Sequence, residues 1–322
     1  MQPEASSSMK PETAETHDEA RDLETCRALL AAGSKSFALA ARLLPTRVRD
    51  ATTVIYAFCR IADDAVDSDP DASLDTVCAL RERLVRVYEG RPDAHAVDRA
   101  LSRVVRKERV PMPLLEALLE GFVWDLEARR YETLDEVHAY AARVAGTVGA
   151  IMTVLMGPRE ANVVARACDL GVAMQLTNIA RDVGEDAARG RLYLPAAWLR
   201  DEGVDPDAFL ARPEASPAVR RVIARLLAHA DELYRRADEG ISCLPRDVRT
   251  SIRAARLIYA DIGRVIAARG FDSVTRRAVV SKPRKLWLLV RALGARFWTR
   301  RLAEAPPLEP TPFLVAACAE AP

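Results

Sequence analysis

Three aspartates crowd one stretch of a predicted helix, CRIADDAVD at residues 59–67. With 3.6 residues per turn, Asp63 and Asp67 lie on one helix face and Asp64 on its flank, so the carboxylates converge. The neighbouring residues are apolar, and clustered carboxylates in an apolar setting repel one another unless a cation binds them. The ordinary alternative is a solvated acidic edge. We interpret the cluster as one half of a cation site.

A second stripe of oxygen-bearing side chains lies more than a hundred residues further along the chain. It consists of Gln175, Asn178, Asp182 and Asp186, at spacings of three and four residues. If the two helices face each other, the stripes form two walls of a cleft. Oxygen ligands are those that Mg²⁺ prefers, and Mg²⁺ often completes its shell with substrate phosphate oxygens. The stripes therefore predict a diphosphate bridged by Mg²⁺, or by Mn²⁺, and neither a P-loop nor a G-x-G-x-x-G loop offers another phosphate site.

The segments that must position these stripes are helical. From about Asp22 onward, apolar residues recur three and four apart, and no short alternating runs predict strands. We expect an all-α fold with a disordered tail over 1–21, one domain over 22–302 and a flexible tail over 303–322. The apolar run over 144–157 is shorter than the about 20 residues that a bilayer needs. We expect it to be a buried core helix and not a transmembrane helix.

The composition excludes several classes of protein. Of 322 residues, 47 are Lys or Arg and 46 are Asp or Glu, so no net charge favours a nucleic acid partner. The six cysteines form no C-x-x-C pair and the four histidines are dispersed, which argues against a zinc site and against a disulfide framework. The N-terminus has no basic-then-apolar signal segment. We expect a cytoplasmic protein with reduced thiols.

The last helical stretch, residues 276–301, has a composition of its own. It contains nine Lys or Arg residues and no acid, interleaved with Leu, Val, Trp and Phe. This combination is typical of a helix that lies on a membrane surface, and it predicts peripheral contact with the cytoplasmic membrane. A helix that packs on the domain with a solvated basic face would have the same composition.

Five blocks of sequence resemble one known family, in the same order. They are GSKSFALAARLLP (33–45), YAFCRIADDAVD (56–67), YAARVAGTVG (140–149), QLTNIARDVGEDAARGRLYLP (175–195) and the ADELYRRADEGISCLP and ARLIYADIG segments. Over about residues 22–290 the chain is similar to the squalene and phytoene synthase family, and most similar to its bacterial phytoene synthase branch. The resemblance implies an all-helical isoprenoid synthase bundle with a central cavity.

The resemblance also implies an activity. It is a prenyltransferase reaction of the 15-cis-phytoene synthase type in carotenoid biosynthesis, in which two geranylgeranyl diphosphates condense head to head. A cyclopropylcarbinyl diphosphate, prephytoene diphosphate, is the intermediate, and no redox cofactor is needed. Two alternatives stay open. The enzyme could make squalene, dehydrosqualene or presqualene diphosphate from farnesyl diphosphate, with NADPH in a reductive case, or the chain could be a non-catalytic helical assembly factor.

The matching blocks carry over the site residues of the family. The metal ligands are predicted to be Asp63, Asp64, Asp67, Asn178, Asp182 and Asp186. The catalytic residues are predicted to be Asp63, Asp67, Asp182, Asp186 and Tyr56. The residues predicted to bind substrate are Ser34, Lys35, Ser36, Phe37, Arg60, Tyr140, Val144, Val148, Gly149, Gln175, Arg181, Arg191 and Tyr259. The arginines offer planar forks for diphosphate, and their ordinary alternative is a salt bridge to a neighbouring acid. Core packing is the alternative for the aromatic residues, and helix capping for the serines.

Overall fold

The structure is a computed structural model that describes residues 11–33, 35–67, 72–294 and 305–320, with the backbone alone for 11–17, 35–37, 67 and 320. The described residues form helices and no strand, so the prediction of an all-α fold is confirmed. The helices are α1 Pro11–Gly33, α2 Lys35–Ala41, α3 Thr46–Asp67, α4 Leu74–Tyr88, α5 Ala96–Glu108, α6 Met112–Leu126, α7 Leu134–Ala141, α8 Thr147–Met156, α9 Ala161–Ala188, α10 Ala196–Asp201, α11 Pro206–Ala211, α12 Pro217–Ile241, α13 Arg246–Ala268, α14 Lys282–Ala292 and α15 Pro312–Glu320. A π-helical turn, Ala142–Gly146, joins α7 to α8.

Polar caps and prolines begin several of these helices. The side chain of Thr133 accepts a hydrogen bond from the backbone N–H of Glu136 at the start of α7, and that of Asp205 accepts one from Ala208 at the start of α11. Such caps satisfy N–H groups that have no partner within the helix. Helices α6, α11, α12 and α14 carry proline in the first turn, where no N–H is needed.

Helix α9 is the centre of the bundle, and glycines bring the π-helical turn and α8 unusually close to it. A Cβ atom at Gly149 would lie 2.2 Å from the carbonyl oxygen of Ala167, and one at Gly171 would lie 2.2 Å from that of Ala145. No other residue fits at such a distance. Helix α12 packs on α9 as well, where the hydroxyl groups of Thr177 and Tyr234 are hydrogen-bonded at 3.0 Å.

The apolar run predicted as a core helix is buried. The stretch Leu134–Met156, from α7 through α8, is long and apolar enough to cross a membrane by length and composition. In the structure 61% of its most apolar window is buried inside the bundle, as is usual for a core helix.

The chain ends are more structured than the sequence suggests. Helix α1 begins at Pro11, within the predicted N-terminal tail. The reason is a buried ion pair: Asp22 has no exposed surface and accepts hydrogen bonds from Arg99 and Arg103. The predicted flexible tail over 303–322 is likewise not flexible throughout, because residues 312–320 form α15 against α9 and bury Leu314 completely.

Candidate active site

An elongated cavity of about 260 Å³ lies between the π-helical turn and α8, α9, α12 and α13. It is far larger than the ~10–15 Å³ that one water needs. On α9 its lining follows a strict three-and-four spacing from Val163 to Asn178, so one helix face forms a wall of about 22 Å. The lining residues are Val144, Ala145, Val148, Gly149, Met152, Thr153, Met156, Val163, Arg166, Ala167, Leu170, Gly171, Met174, Gln175, Asn178, Ala237, Gly240, Ile241, Leu244, Ile252, Ala255 and Tyr259.

The second predicted stripe continues this wall. Asp182 and Asp186 lie one and two turns beyond Asn178 on the same face of α9. The side-chain amide of Asn178 donates to Oε1 of Gln175 at 3.2 Å, which fixes the orientation of the amide. Its Oδ1 atom is buried and has no hydrogen-bond partner among the described residues. An oriented but unpartnered acceptor is unusual in a folded protein and is what a metal ligand offers before the metal binds.

Two arginines neutralise Asp182. The Nε atom of Arg181 donates to Oδ1 of this carboxylate at 2.8 Å, and the Nε atom of Arg277 donates to the same oxygen at 2.8 Å. Arg277 also lies 3.5 Å from Glu185. The carboxylate and both guanidinium groups therefore lie together one turn of α9 beyond Asn178, the last cavity residue of this helix.

Asp186 has a strongly raised pKa. Burial raises the pKa of its carboxyl group to about 7, the charges of Asp182 and Asp125 add to the rise, and Arg191 and Arg189 oppose it. The backbone N–H of Arg191 also donates to the carbonyl oxygen of Asp186 at 2.9 Å. Near neutral pH, this acid is half protonated, and a divalent cation beside it would favour the ionised form.

The first stripe lies on α3 and is partly exposed. Arg60 donates to Asp64 at 2.9 Å and to Asp63 at 3.4 Å, and the three side chains are 39%, 41% and 42% exposed. The helix ends at Asp67, whose side chain lies outside the described part of the structure. Arg60 thus forms salt bridges to neighbouring acids, and its role as a diphosphate ligand stays a prediction.

One tyrosine lies near each stripe, Tyr56 near the first and Tyr259 near the second. Burial raises the pKa of Tyr56, Arg60 opposes the rise, and Tyr259 and Asp63 add to it. Burial also raises the pKa of Tyr259, which Arg181 opposes and to which Asp182 adds. Tyr56 is therefore close to Asp63 of the first stripe, and Tyr259 is close to Asp182 of the second.

A further carboxylate, Asp125 on α6, was missed by the sequence analysis. It accepts hydrogen bonds from the hydroxyl groups of Tyr140 at 3.0 Å and of Tyr193 at 2.6 Å. The two rings stack with centroids 5.0 Å apart, and Tyr131 packs on both. Nothing in the sequence distinguishes Asp125 from Glu116 and Glu120 on the same helix, and its pairing with tyrosines from two other segments is a tertiary property.

The remaining predicted residues fall into three groups. Val144, Val148, Gly149, Gln175 and Tyr259 line the cavity. Tyr140 is not part of the lining, because its hydroxyl group is bound to Asp125 and its ring is buried among the other tyrosines. Ser34 and the side chains of Lys35, Ser36 and Phe37 lie outside the described residues. The roles of all these residues in catalysis and binding stay predictions.

The donor set fits a divalent cation that is shared with a diphosphate. In the described part of the chain, no group of three or more His, Cys, Asp or Glu side chains could hold a metal ion by itself. The two stripes offer carboxylate and amide oxygens only, and the buried Oδ1 atom of Asn178 is oriented and unpartnered. Mg²⁺ commonly takes one or two carboxylates, with water and substrate phosphate completing its octahedral shell.

Comparisons with known proteins agree on one family. The sequence model described as squalene/phytoene synthase matches residues 30–284. A phytoene synthase of Rhodobacter capsulatus is 50% identical over 293 residues, which cover 90% of this chain and 86% of the relative. A 15-cis-phytoene synthase of a Paracoccus species is 42% identical over 268 residues, covering 80% of this chain and 86% of the relative.

Solved structures agree on the fold. The crystal structure of a dehydrosqualene synthase in complex with ligand superimposes with a TM-score of 0.80 at 31% identity and covers 86% of this chain and 97% of the other. A squalene synthase from Alicyclobacillus acidocaldarius gives a TM-score of 0.74 at 26% identity, covering 79% and 96%. The predicted helical bundle with a central cavity is therefore confirmed.

Proposed function

The chain belongs to the squalene/phytoene synthase family and is a prenyltransferase of the phytoene synthase type, and we propose that it joins two geranylgeranyl diphosphates head to head to form phytoene. The observation that carries this proposal is the continuous face of α9, on which a row of apolar cavity residues leads directly to the second aspartate stripe. A prenyl chain fits the apolar part, and its diphosphate would then lie at Asn178 and Asp182.

The proposed reaction has two ionisation steps. The bond between C1 and oxygen of one substrate breaks, and the electron pair leaves with the diphosphate. A double bond of the second substrate attacks the allylic cation, and loss of a proton closes the cyclopropane ring of prephytoene diphosphate. A second ionisation, a rearrangement and loss of another proton give phytoene. Two diphosphates and two protons are released, and no reductant is consumed.

The arginines act on the leaving group in this proposal. Arg181 and Arg277 neutralise Asp182 in the structure, and Arg60 neutralises Asp63 and Asp64. When a diphosphate enters, the same guanidinium groups can bind its oxygens by bidentate, charge-assisted hydrogen bonds. Mg²⁺ or Mn²⁺, held by the aspartates and by Oδ1 of Asn178, would supply Lewis acidity to the departing diphosphate.

The cavity protects the cation from water. Its lining is almost entirely apolar, and ring faces such as that of Tyr259 stabilise positive charge. Exclusion of water prevents capture of the cation as an alcohol. In this proposal Tyr56, which is close to the charges of Arg60 and Asp63, orients the reacting carbons.

The test is incubation of the purified protein with Mg²⁺ and either geranylgeranyl or farnesyl diphosphate, with and without NADPH, followed by mass spectrometry of the hydrocarbon. We expect phytoene from the longer substrate without NADPH. A hydrocarbon formed only from farnesyl diphosphate would assign the enzyme to the squalene branch. No product from either substrate would favour the non-catalytic alternative.

We also propose that the protein is cytoplasmic and docks on anionic membranes through α14. An apolar row is exposed there, consisting of Val279, Leu286, Trp287, Val290 and Leu293, each at least 46% exposed. We call these five residues the α14 face. No acid occurs over residues 273–303, so the charge complements anionic lipid headgroups.

The basic side chains around the α14 face are arranged as in an interfacial helix. The guanidinium groups of Arg284 and Arg291 lie 4.2 and 4.8 Å from the ring centroid of Trp287. Val279 and Lys285 also line a small pocket together with Arg181 and Arg277. The face is therefore continuous with the polar end of the active site, where an oily substrate would enter. Residues 295–301 of the predicted basic stretch lie outside the described part.

Vesicle flotation tests the docking. We expect the protein to float with vesicles that contain phosphatidylserine and to float less with pure phosphatidylcholine or in high salt. Leu286→Ser combined with Val290→Ser should abolish flotation, because both side chains are exposed and insert into the interface. Val85→Ser, at an exposed apolar position on α4, is the matched control. Unchanged flotation of the double variant would overturn this docking surface.

A further inference from the structure

The deep end of the cavity is closed by four side chains far from the aspartates. Met156, Val163, Arg166 and Leu244 line it and are at most 6% exposed. On α9, Arg166 precedes Asp182 by sixteen residues, which corresponds to about 24 Å along the helix axis. If the proposed function holds, the tail of the prenyl chain reaches this end, so these side chains limit its length.

The side chain of Arg166 closes the cavity, and hydrogen bonds outside the cavity hold its guanidinium group in place. Its Nη1 atom donates to the carbonyl oxygen of Ala305 at 3.3 Å and its Nη2 atom to that of Pro306 at 3.0 Å. Its Nε atom lies 2.8 Å from Oδ2 of Asp169. A Cβ atom at Gly240 would lie 2.4 Å from Cβ of Arg166, so the glycine makes room for the side chain.

A second arginine, Arg236, shares two of the three partners of Arg166. The Nε atom of Arg236 donates to Oδ2 of Asp169 at 2.9 Å, and its Nη2 atom donates to the carbonyl oxygen of Pro306 at 2.8 Å. Two guanidinium groups thus face one carboxylate that has no exposed surface. A buried charge is stable only when its hydrogen bonds are satisfied. The backbone carbonyls of Ala305 and Pro306 supply the acceptors that Asp169 alone does not.

The segment that supplies these carbonyls is docked by its own helix. We call residues 305–320 the C-terminal strap. Leu314 is completely buried and would touch a Cβ atom at Gly146 at 3.3 Å, and the carbonyl oxygen of Cys318 accepts from Nη1 of Arg159 at 3.3 Å. The strap therefore lies on the outer side of α8 and α9, opposite the cavity.

We propose that the C-terminal strap sets the depth of the prenyl cavity by holding Arg166, and thereby decides which prenyl chain length the enzyme accepts. With the strap docked, the stem of Arg166 closes the deep end. When the strap leaves, Arg166 loses two of its acceptors and its guanidinium can reach water, so the deep end opens. The proposal rests on the proposed function and adds the residues that determine substrate length.

The test compares two charged substitutions on α15. Leu314→Glu places a charge at a fully buried position and should release the strap, whereas Ala316→Glu adds the same charge on the exposed side of the helix. The probes are unreactive thiolo analogues of geranylgeranyl diphosphate and of the homologue with five isoprene units. The readout is the dissociation constant of the longer analogue divided by that of the shorter one. In L314E we expect this ratio to fall at least about 10-fold, since a pocket discriminates even one methylene by that factor. A316E should retain the ratio of the unmodified protein.

Several outcomes would overturn the proposal. One is an unchanged ratio in a folded L314E variant, and another is an unmodified protein that binds both analogues equally. If L314E does not fold by circular dichroism, Arg166→Gln replaces it, because this variant keeps α15 docked and removes the hydrogen bonds from Arg166 to the carbonyl oxygens of Ala305 and Pro306. An unchanged ratio in R166Q would then overturn the proposal. Because the analogues do not react, a protein that binds the shorter analogue but forms no phytoene would contradict the proposed function alone.

Discussion

The Nε atom of Arg277 donates a hydrogen bond to Oδ1 of Asp182 at 2.8 Å, although the two residues are 95 positions apart in the sequence. Arg181, the direct neighbour of Asp182, donates to the same oxygen. Two cations therefore converge on one aspartate of the second stripe. This places positive charge where the proposed reaction develops negative charge on a leaving diphosphate.

Arg277→Gln should weaken diphosphate binding. The substitution keeps much of the side-chain length but removes the charge and the planar fork, and a hydrogen bond to a charged group contributes about 1.5–3 kcal/mol. We expect KM for the prenyl diphosphate to rise about 10- to 100-fold. Steady-state kinetics measure it, and Arg276→Gln at the exposed neighbouring position is the control. Equal KM values in the two variants would contradict the role of Arg277.

Because of Asp186, we expect the stability of the metal-free protein to depend on pH. Its pKa is raised from the usual 3.8 to about 7, so the folded protein holds this proton over a range in which the unfolded chain has lost it. The free energy of unfolding should therefore fall as pH rises from about 4 to about 7, by on the order of 2 kcal/mol after allowance for solvent. Above pH 7 the free energy of unfolding should not fall further on account of Asp186, because its carboxyl group is then ionised in the folded and in the unfolded protein.

Urea unfolding at several pH values in the presence of EDTA measures this effect. Asp186→Asn removes the titrating group, so its stability should lack the fall between pH 4 and 7 and should exceed that of the unmodified protein at pH 8. Added Mg²⁺ should stabilise the unmodified protein more at pH 8 than at pH 5.5, because the metal competes with the proton. Parallel pH profiles for the two proteins would contradict the assignment.

Asp125 couples the tyrosine cluster to this titration. Its charge contributes to the raised pKa of Asp186, so Asp125→Asn should move the midpoint of the pH-dependent stability to lower pH. The free energy of unfolding of this variant should also be lower by about 1–3 kcal/mol, because a charged acceptor of two tyrosine hydroxyl groups is replaced. Tyr140→Phe is the control, since it removes one of these hydrogen bonds and leaves the charge. Identical midpoints in D125N and the unmodified protein would refute the coupling.

The parts of the site that could be predicted are those that one helix determines. Asn178, Asp182 and Asp186 share a face of α9 because 3.6 residues per turn brings positions four apart together. Asp125 and Arg277 could not be found in this way. Each has residues of the same charge near it in the sequence, and its partners come from other segments that only the packed bundle brings close.

The structure of the C-terminal strap could not be predicted from its own sequence either. Its first residues are rich in proline, a composition typical of a linker, and the helix that follows has only nine residues. Isolated helices of that length are marginal in water, so local propensity predicts no structure. The burial of Leu314 against α9 and the carbonyl partners of Arg166 and Arg236 stabilise the segment, and neither can be predicted from the segment itself.

Asn178→Ala should weaken metal binding without loss of the fold. The Oδ1 atom is buried without a partner in the described structure, and Gln175 holds the amide so that this oxygen stays oriented. Loss of one ligand should lower Mg²⁺ affinity about 10-fold, and Gln175→Leu, which leaves the ligand but removes its support, should also lower it, since such support is commonly worth about 10-fold or more. Calorimetric titration of Mg²⁺ with a thiolo diphosphate present gives both values. An Asn178→Ala variant with unchanged Mg²⁺ affinity would show that the unpartnered oxygen has another purpose, and the arrangement of Gln175 and Asn178 would then support substrate binding alone.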